Sequence, residues 1–158
     1  TGRILNVLYL VKSGLLDSPI LYLSDYIIKR KNDYYRLLQE VRTKEGWENW
    51  IYFMLNAVEE TAKTTLRITA AIKDLMDRTR ERGKKELTKA AYAKELMELI
   101  FIQPCTKIDF LVKAGLAERR TASRYLKELE SIGILKSYKS WKETIYINSE
   151  LFELLKNL

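Results

Sequence analysis

Apolar side chains recur three and four residues apart over most of the first half of the chain, which is the period of helices. In TGRILNVLYLVKS, Ile4, Val7, Leu8 and Val11 form one stripe, while Leu5, Tyr9 and Leu10 make other sides apolar. A helix apolar nearly all round is expected to be buried. This one starts at Thr1 with nothing before it to bury it, so the expectation is a fragment of a longer protein. Leu15 to Pro19 reads as a turn, with Ser18 as N-cap and Pro19 as the first residue of a helix that continues from Ile20 to Lys31. Lys29-Arg30-Lys31 is its solvated last turn, where cations suit the helix dipole. Asn32 is expected to cap the next helix, Asp33 to Val41. From Trp47 the positions Ile51, Leu55, Val58, Ala62, Thr65, Thr69, Ile72 and Met76 alternate four and three apart, a heptad-like seam running to about Arg82. Two readings of that seam stand side by side, a core or interdomain helix and a dimer seam. A helix of that length reaches on the order of 50 Å, further than a small domain is wide. It is therefore expected to connect two bodies, residues 1–83 and 84–158, with Gly83-Lys84-Lys85-Glu86 as hinge and Leu87 to Ile102 as the next helix.

The pattern changes after residue 105. Thr106 to Ala114 reads as a short amphipathic helix, with Thr106 as N-cap and Gly115 suited to the left-handed position just past its end. From Arg119 to Ser131, Ala122, Tyr125, Leu126 and Leu129 share one helical face while Arg120, Ser123, Arg124 and Lys127 share the other. Gly133 closes that helix. Ile134 to Tyr138 and Glu143 to Asn148 then alternate as two strands around the tip Lys139-Ser140-Trp141-Lys142, and Glu150 to Asn157 forms a last helix. Helix, turn, helix and hairpin in that order resemble a winged helix-turn-helix. The expected fold class is mainly α: a helical first part joined by a long helix to a small winged helix-turn-helix domain with a two-stranded β wing. On this reading Arg119, Arg120, Ser123, Arg124 and Lys127 face double-stranded DNA, with Lys139 and Lys142 on phosphates. Glu118 stands where Ser or Asp would cap the second helix, and its carboxylate, with Glu128 and Glu130, opposes a phosphate backbone.

Charge supports that placement. The 158 residues carry a net charge of +7, and between residues 101 and 142 nine Lys/Arg face four Asp/Glu. There is no histidine, the side chain most often used for acid-base work at neutral pH, and the single cysteine, Cys105, excludes an intramolecular disulfide. A zinc site is not expected. No apolar run is long enough to span a bilayer and no signal-peptide layout opens the chain, so no membrane partner is expected and the cytoplasm is the default location.

The first half resembles the C-terminal part of a Fic-domain protein. Members of that family carry a motif of the form HPFx(D/E)GNGRxGR followed by a buried helix of the type ILNxLYLV. This chain opens with Thr1-Gly2-Arg3 and then Ile4-Leu5-Asn6-Val7-Leu8-Tyr9-Leu10-Val11. Later landmarks are DSPILYLSDYI, Tyr34-Tyr35, the segment ending Val41-Arg42, and Glu45-Gly46-Trp47-Glu48-Asn49-Trp50. Several Fic proteins also append a winged helix. The resemblance implies a parent enzyme that transfers AMP from ATP, with a divalent cation such as Mg²⁺, to a hydroxyl of a target protein. It implies nucleotide binding by Gly2 and Arg3 at the end of the motif and by Tyr35 beside adenine, while Arg42 replaces an asparagine that some members place near the base. The motif histidine and acidic residue are missing, so this chain by itself is expected to hold neither nucleotide cofactor nor cation and to be catalytically inactive.

Three readings follow. The chain is a fragment of a Fic AMP-transferase with a DNA-binding winged helix, or a stand-alone winged-helix transcription regulator, possible as a homodimer, or a winged-helix module for protein contacts.

Overall fold

The computed structural model describes residues 2–87, 94–141 and 143–156, with the side chains of Arg3 and Ser140 left aside. The chain is mainly helical, in the order α1 (Gly2–Lys12), α2 (Leu23–Lys29), α3 (Lys31–Lys44), α4 (Trp47–Glu86), α5 (Lys94–Ile102), β1 (Cys105–Thr106), α6 (Ile108–Lys113), α7 (Arg119–Ser131), β2 (Leu135–Ser140), β3 (Glu143–Asn148) and α8 (Ser149–Lys156). It forms two compact units, Thr1–Thr69 and Ala70–Leu158, whose boundary falls inside α4. Among the described residues no helix is long and apolar enough to cross a membrane.

In the first unit Leu21, Leu23, Tyr26, Ile27, Leu37, Phe53 and Ala57 make the core. Its rings interlock: Tyr26 meets Phe53 edge-on at 5.4 Å between centroids, and Tyr34 meets Trp50 at 5.1 Å. The helix expected from Pro19 begins only at Leu23. Ile20 to Leu23 alternate exposed and buried, the period of extended chain, and Leu21 and Leu23 reach the core through it. Asn32 does not cap α3. The break lies one residue pair earlier, at Arg30, whose backbone is non-helical and whose guanidinium sits 4.6 Å above the Tyr26 ring. α1 forms as expected but is not buried all round: Val7 and Leu10 pack on the core, while Ile4, Leu5, Leu8 and Tyr9 are exposed.

The long helix buries a different stripe from the expected seam. Phe53, Ala57 and Thr61 in the first unit, and Leu75, Thr79 and Gly83 in the second, are its buried residues. Ile51, Leu55, Ala62 and Thr69 face water, and Val58, Thr65, Ile72 and Met76 are half-buried. The buried stripe is rich in small residues, which let neighbouring elements approach closely but add little to an apolar pattern. Its threonines return their hydroxyls to the helix, Thr61 to the Ala57 carbonyl at 2.6 Å and Thr79 to that of Leu75 at 2.7 Å. Gly83 to Glu86 are helical, so the expected hinge is instead the last turn of α4. Of the helix expected over 87–102, α5 accounts for residues 94–102, and 88–93 lie outside the described residues, as does Asn157.

The second unit closes around Leu96, Met97, Ile100, Leu111, Ala122, Leu126, Leu129, Ile134, Leu135 and Tyr146. α6 and α7 both end in a glycine with positive φ, Gly115 at 69° and Gly133 at 74°. At each, the next two N–H groups fold back on the helix: Gly133 to the Glu130 carbonyl at 2.9 Å and Ile134 to that of Leu129 at 3.0 Å, with the matching pair at Gly115 and Leu116. The neighbouring Ile132 carbonyl accepts a hydrogen bond from the Arg82 guanidinium of α4. The expected two-stranded wing is part of a three-stranded antiparallel sheet in the order β1-β3-β2. β1 has only two residues, too short for alternation to reveal it. It pairs Thr106 with Tyr146 and draws the Thr106 side chain into the interior, so Thr106 is not the cap of α6; Lys107 takes that position. Asn148, also buried, caps α8 through its side-chain oxygen on the Leu151 N–H at 3.2 Å and donates to the Ile100 carbonyl at 3.4 Å.

Candidate functional site

α7 turns one face inward and one outward. Ala122, Leu126 and Leu129 are fully buried, fixing the helix in the core, and the other face projects Arg120, Arg124 and Lys127 to solvent with Ser123 half-buried beside them. Together with Glu128 and Ser131 they line one shallow open depression along the helix. Arg119, at the first turn, is held 2.8 Å from Asp109 of α6 and so ties the two helices together. Arg124 lies 3.8 Å from Glu128, with its guanidinium 5.5 Å over the Tyr125 ring. Arg120 and Lys127 have no ion-pair or hydrogen-bond partner among the described residues.

Of the three carboxylates expected to oppose an anion, two are engaged. Glu128 pairs with Arg124, and Glu130 accepts the backbone N–H of Ser137 on β2 at 3.1 Å. That bond fastens the edge strand β2 to the end of α7. Glu130 also acts on the buried phenol of Tyr146, which burial first and the carboxylate second hold above its ordinary pKa of 10.0. Glu118 is the N-cap residue of α7, and its side chain makes no capping bond.

β2 and β3 pair without interruption from Leu135↔Asn148 to Ser140↔Glu143. Lys139 and Ser140, expected at the tip, are thus strand residues, and two residues remain to turn the chain. Lys136 and Lys139 are exposed along β2; Lys142 lies outside the described residues. Lys107 pairs with Glu143, the first residue of β3, at the tip end of the hairpin.

Of the residues expected to bind nucleotide, Gly2 and Arg3 lie on α1 and Tyr35 on α3. Gly2 opens α1 with open space around its Cα, and the side chain of Arg3 is outside the described residues. Tyr35 on α3 is about half exposed and meets Tyr34 edge-on at 5.3 Å, with no interaction linking it to α1 among the described residues. No group of three acidic, histidine or cysteine side chains that could hold a metal ion occurs among the described residues. The pattern of the sequence did not point to an apolar groove of about 290 Å³ in the first unit, lined among others by Tyr9, Leu10, Ile51, Met54 and Leu55. Its signal was present in the apolar sides of α1 left over from the predicted stripe.

Residues 75–151 match the family described as "Protein adenylyltransferase SoFic-like, C-terminal domain", in agreement with the resemblance to the C-terminal part of a Fic-family protein. The match covers most of the second unit, including α7 and the whole sheet.

Proposed function

We propose, from this adenylyltransferase-type C-terminal domain, that the second unit is a winged helix-turn-helix that binds duplex DNA through α7 and serves a protein AMP-transferase. The observation that carries the reading is the outer face of α7, where Arg120 and Lys127 stand exposed and unpaired beside Ser123 and Arg124. A rigid helix presenting cations on one side suits the major groove, and the exposed lysines of β2 suit phosphates. In the same reading, ATP, its Mg²⁺ and the base that deprotonates the acceptor hydroxyl are held by a catalytic segment of the parent protein, with Gly2, Arg3 and Tyr35 contributing to the nucleotide site. The chain taken alone has no histidine to act as that base.

The test is an anisotropy titration of random duplex DNA at low salt, repeated as salt rises. Binding is expected at a Kd of about 10⁻⁴–10⁻⁶ M, weakening with salt as counterions are released. Arg120→Ala with Lys127→Ala should weaken it and lower the salt slope by about 2. Binding weaker than about 10⁻⁴ M, or indifferent to both substitutions, overturns the DNA reading and favours a surface for protein contacts.

A further inference from the structure

Two positions separate the paired Ser140 and Glu143, and Trp141 is the first of them. Two-residue hairpin turns that follow the strand twist need positive φ and favour Asn-Gly. Trp141 has φ 51°, a conformation that bulky side chains seldom adopt. Turn chemistry therefore does not account for a tryptophan here, and neither does packing. Its relative exposure is 102%, and it makes no ring or cation contact among the described residues. An indole leaves ~150–250 Å² of largely apolar surface in water in such a position.

The surroundings indicate what would cover it. Lys139 is exposed two residues before it, and Lys136 is exposed further down the same strand. A flat aromatic among lysines is the combination that binds nucleic acid by stacking on a base while the cations take the flanking phosphates. β2, the strand leading to this tip, is fastened to α7 by the Ser137–Glu130 bond, so the tip belongs to the same body as the basic helix face.

We propose that the hairpin tip is a base-stacking finger: while α7 holds the duplex, the Trp141 indole stacks on a nucleobase without a pairing partner. The domain would then select DNA carrying an unpaired base over a continuous duplex. This rests on the reading that α7 binds DNA. Bases already unpaired are favoured because extruding one from an intact duplex costs a few kcal/mol that a gap or bulge does not.

The experiment compares a continuous duplex with the same duplex containing 2-aminopurine opposite a one-nucleotide gap, using the 158-residue chain. The wild type should bind the gapped DNA about tenfold tighter and quench the 2-aminopurine. Trp141→Asn, which tolerates the positive φ but has no ring to stack, should lose the preference and the quenching while still binding continuous duplex. Trp141→Phe should keep most of both. Equal binding of the two DNAs by the wild type, with Arg120→Ala still weakening duplex binding, overturns this inference and leaves the α7 reading intact. A preference that survives Trp141→Asn also overturns it. Binding to neither DNA overturns both.

Discussion

The two units satisfy their apolar residues to very different degrees. Among the described residues, fifteen large apolar side chains stand exposed within residues 1–69, against five within 70–158. The second unit draws its apolar residues into one core and shows water a charged surface. The first keeps a small aromatic core under α2, α3 and the start of α4, and leaves Ile4, Leu5, Leu8 and Tyr9 of α1 and Ile51, Tyr52 and Leu55 of α4 uncovered. Of these, Tyr9, Ile51 and Leu55 line one apolar groove. The difference teaches that helix formation and self-sufficiency are separate properties. α1 and the first part of α4 are well-formed helices that keep apolar side chains exposed in the first unit.

The largest effect should come from opening the closed core. Leu126 is fully buried on α7, and Leu126→Ala is expected to cost ~2–5 kcal/mol, seen as a lower urea midpoint in the far-ultraviolet dichroism. A loss below ~1 kcal/mol would mean that the second unit is as loosely packed as the first and would erase the contrast. On the other side, Ile51→Ser combined with Leu55→Ser should change stability by less than ~1 kcal/mol and reduce self-association in light scattering, because both side chains are exposed. A cost matching Leu126→Ala would show that this face is covered in solution.

The smallest effect is a pH dependence confined to the second unit. The Tyr146 phenol ionises near 10.0 in the unfolded chain and only at higher pH when buried beside Glu130. Between those two values the unfolded chain holds fewer protons than the folded one. Stability is therefore level below pH 10.0, falls as pH rises through the folded value, and then levels off. Tyr146→Phe should remove that part of the alkaline fall, as measured by thermal unfolding across a pH series. An unchanged profile would place the alkaline sensitivity elsewhere.

The second unit was the more legible of the two in the sequence. α7 could be read residue by residue because its apolar and basic positions separate cleanly at helical spacing and because Gly115 and Gly133 mark the ends of α6 and α7. The charged face follows directly from that pattern. β1 could not be read, since two residues have no period and Thr106 looks the same as a helix cap or as an inward strand residue. Only its pairing with Tyr146 decides. The same applies to Arg119, whose ion pair with Asp109 depends on the crossing of two helices. In the first unit the apolar pattern gave the right helices and the wrong faces: the seam through Ile51 and Leu55 was the most apolar line on α4, but the line used for packing was the small one through Ala57 and Thr61. At the start of α2, Ser18 and Pro19 carried a familiar capping signal, yet the alternation from Ile20 to Leu23 prevailed because it delivers two leucines to the core.

The bond from Arg82 to the Ile132 carbonyl spans fifty residues of sequence, so the end of α7 is held by bonds of two kinds. The bonds from Gly133 and Ile134 are local and can form as soon as the helix does. The guanidinium can arrive only after a long loop has closed, an event paid for in chain entropy and slow compared with a helical turn. The end of the helix nearest β2 is therefore held in part by a bond that carries a loop-closure entropy the two local bonds do not. Because the entropy of closure rises only logarithmically with loop length, doubling the intervening segment would add only about 0.6 kcal/mol to that step. The helix proposed to face DNA is thus closed at its end by its own glycine motif and tied by Arg82 to a part of the same unit distant in sequence.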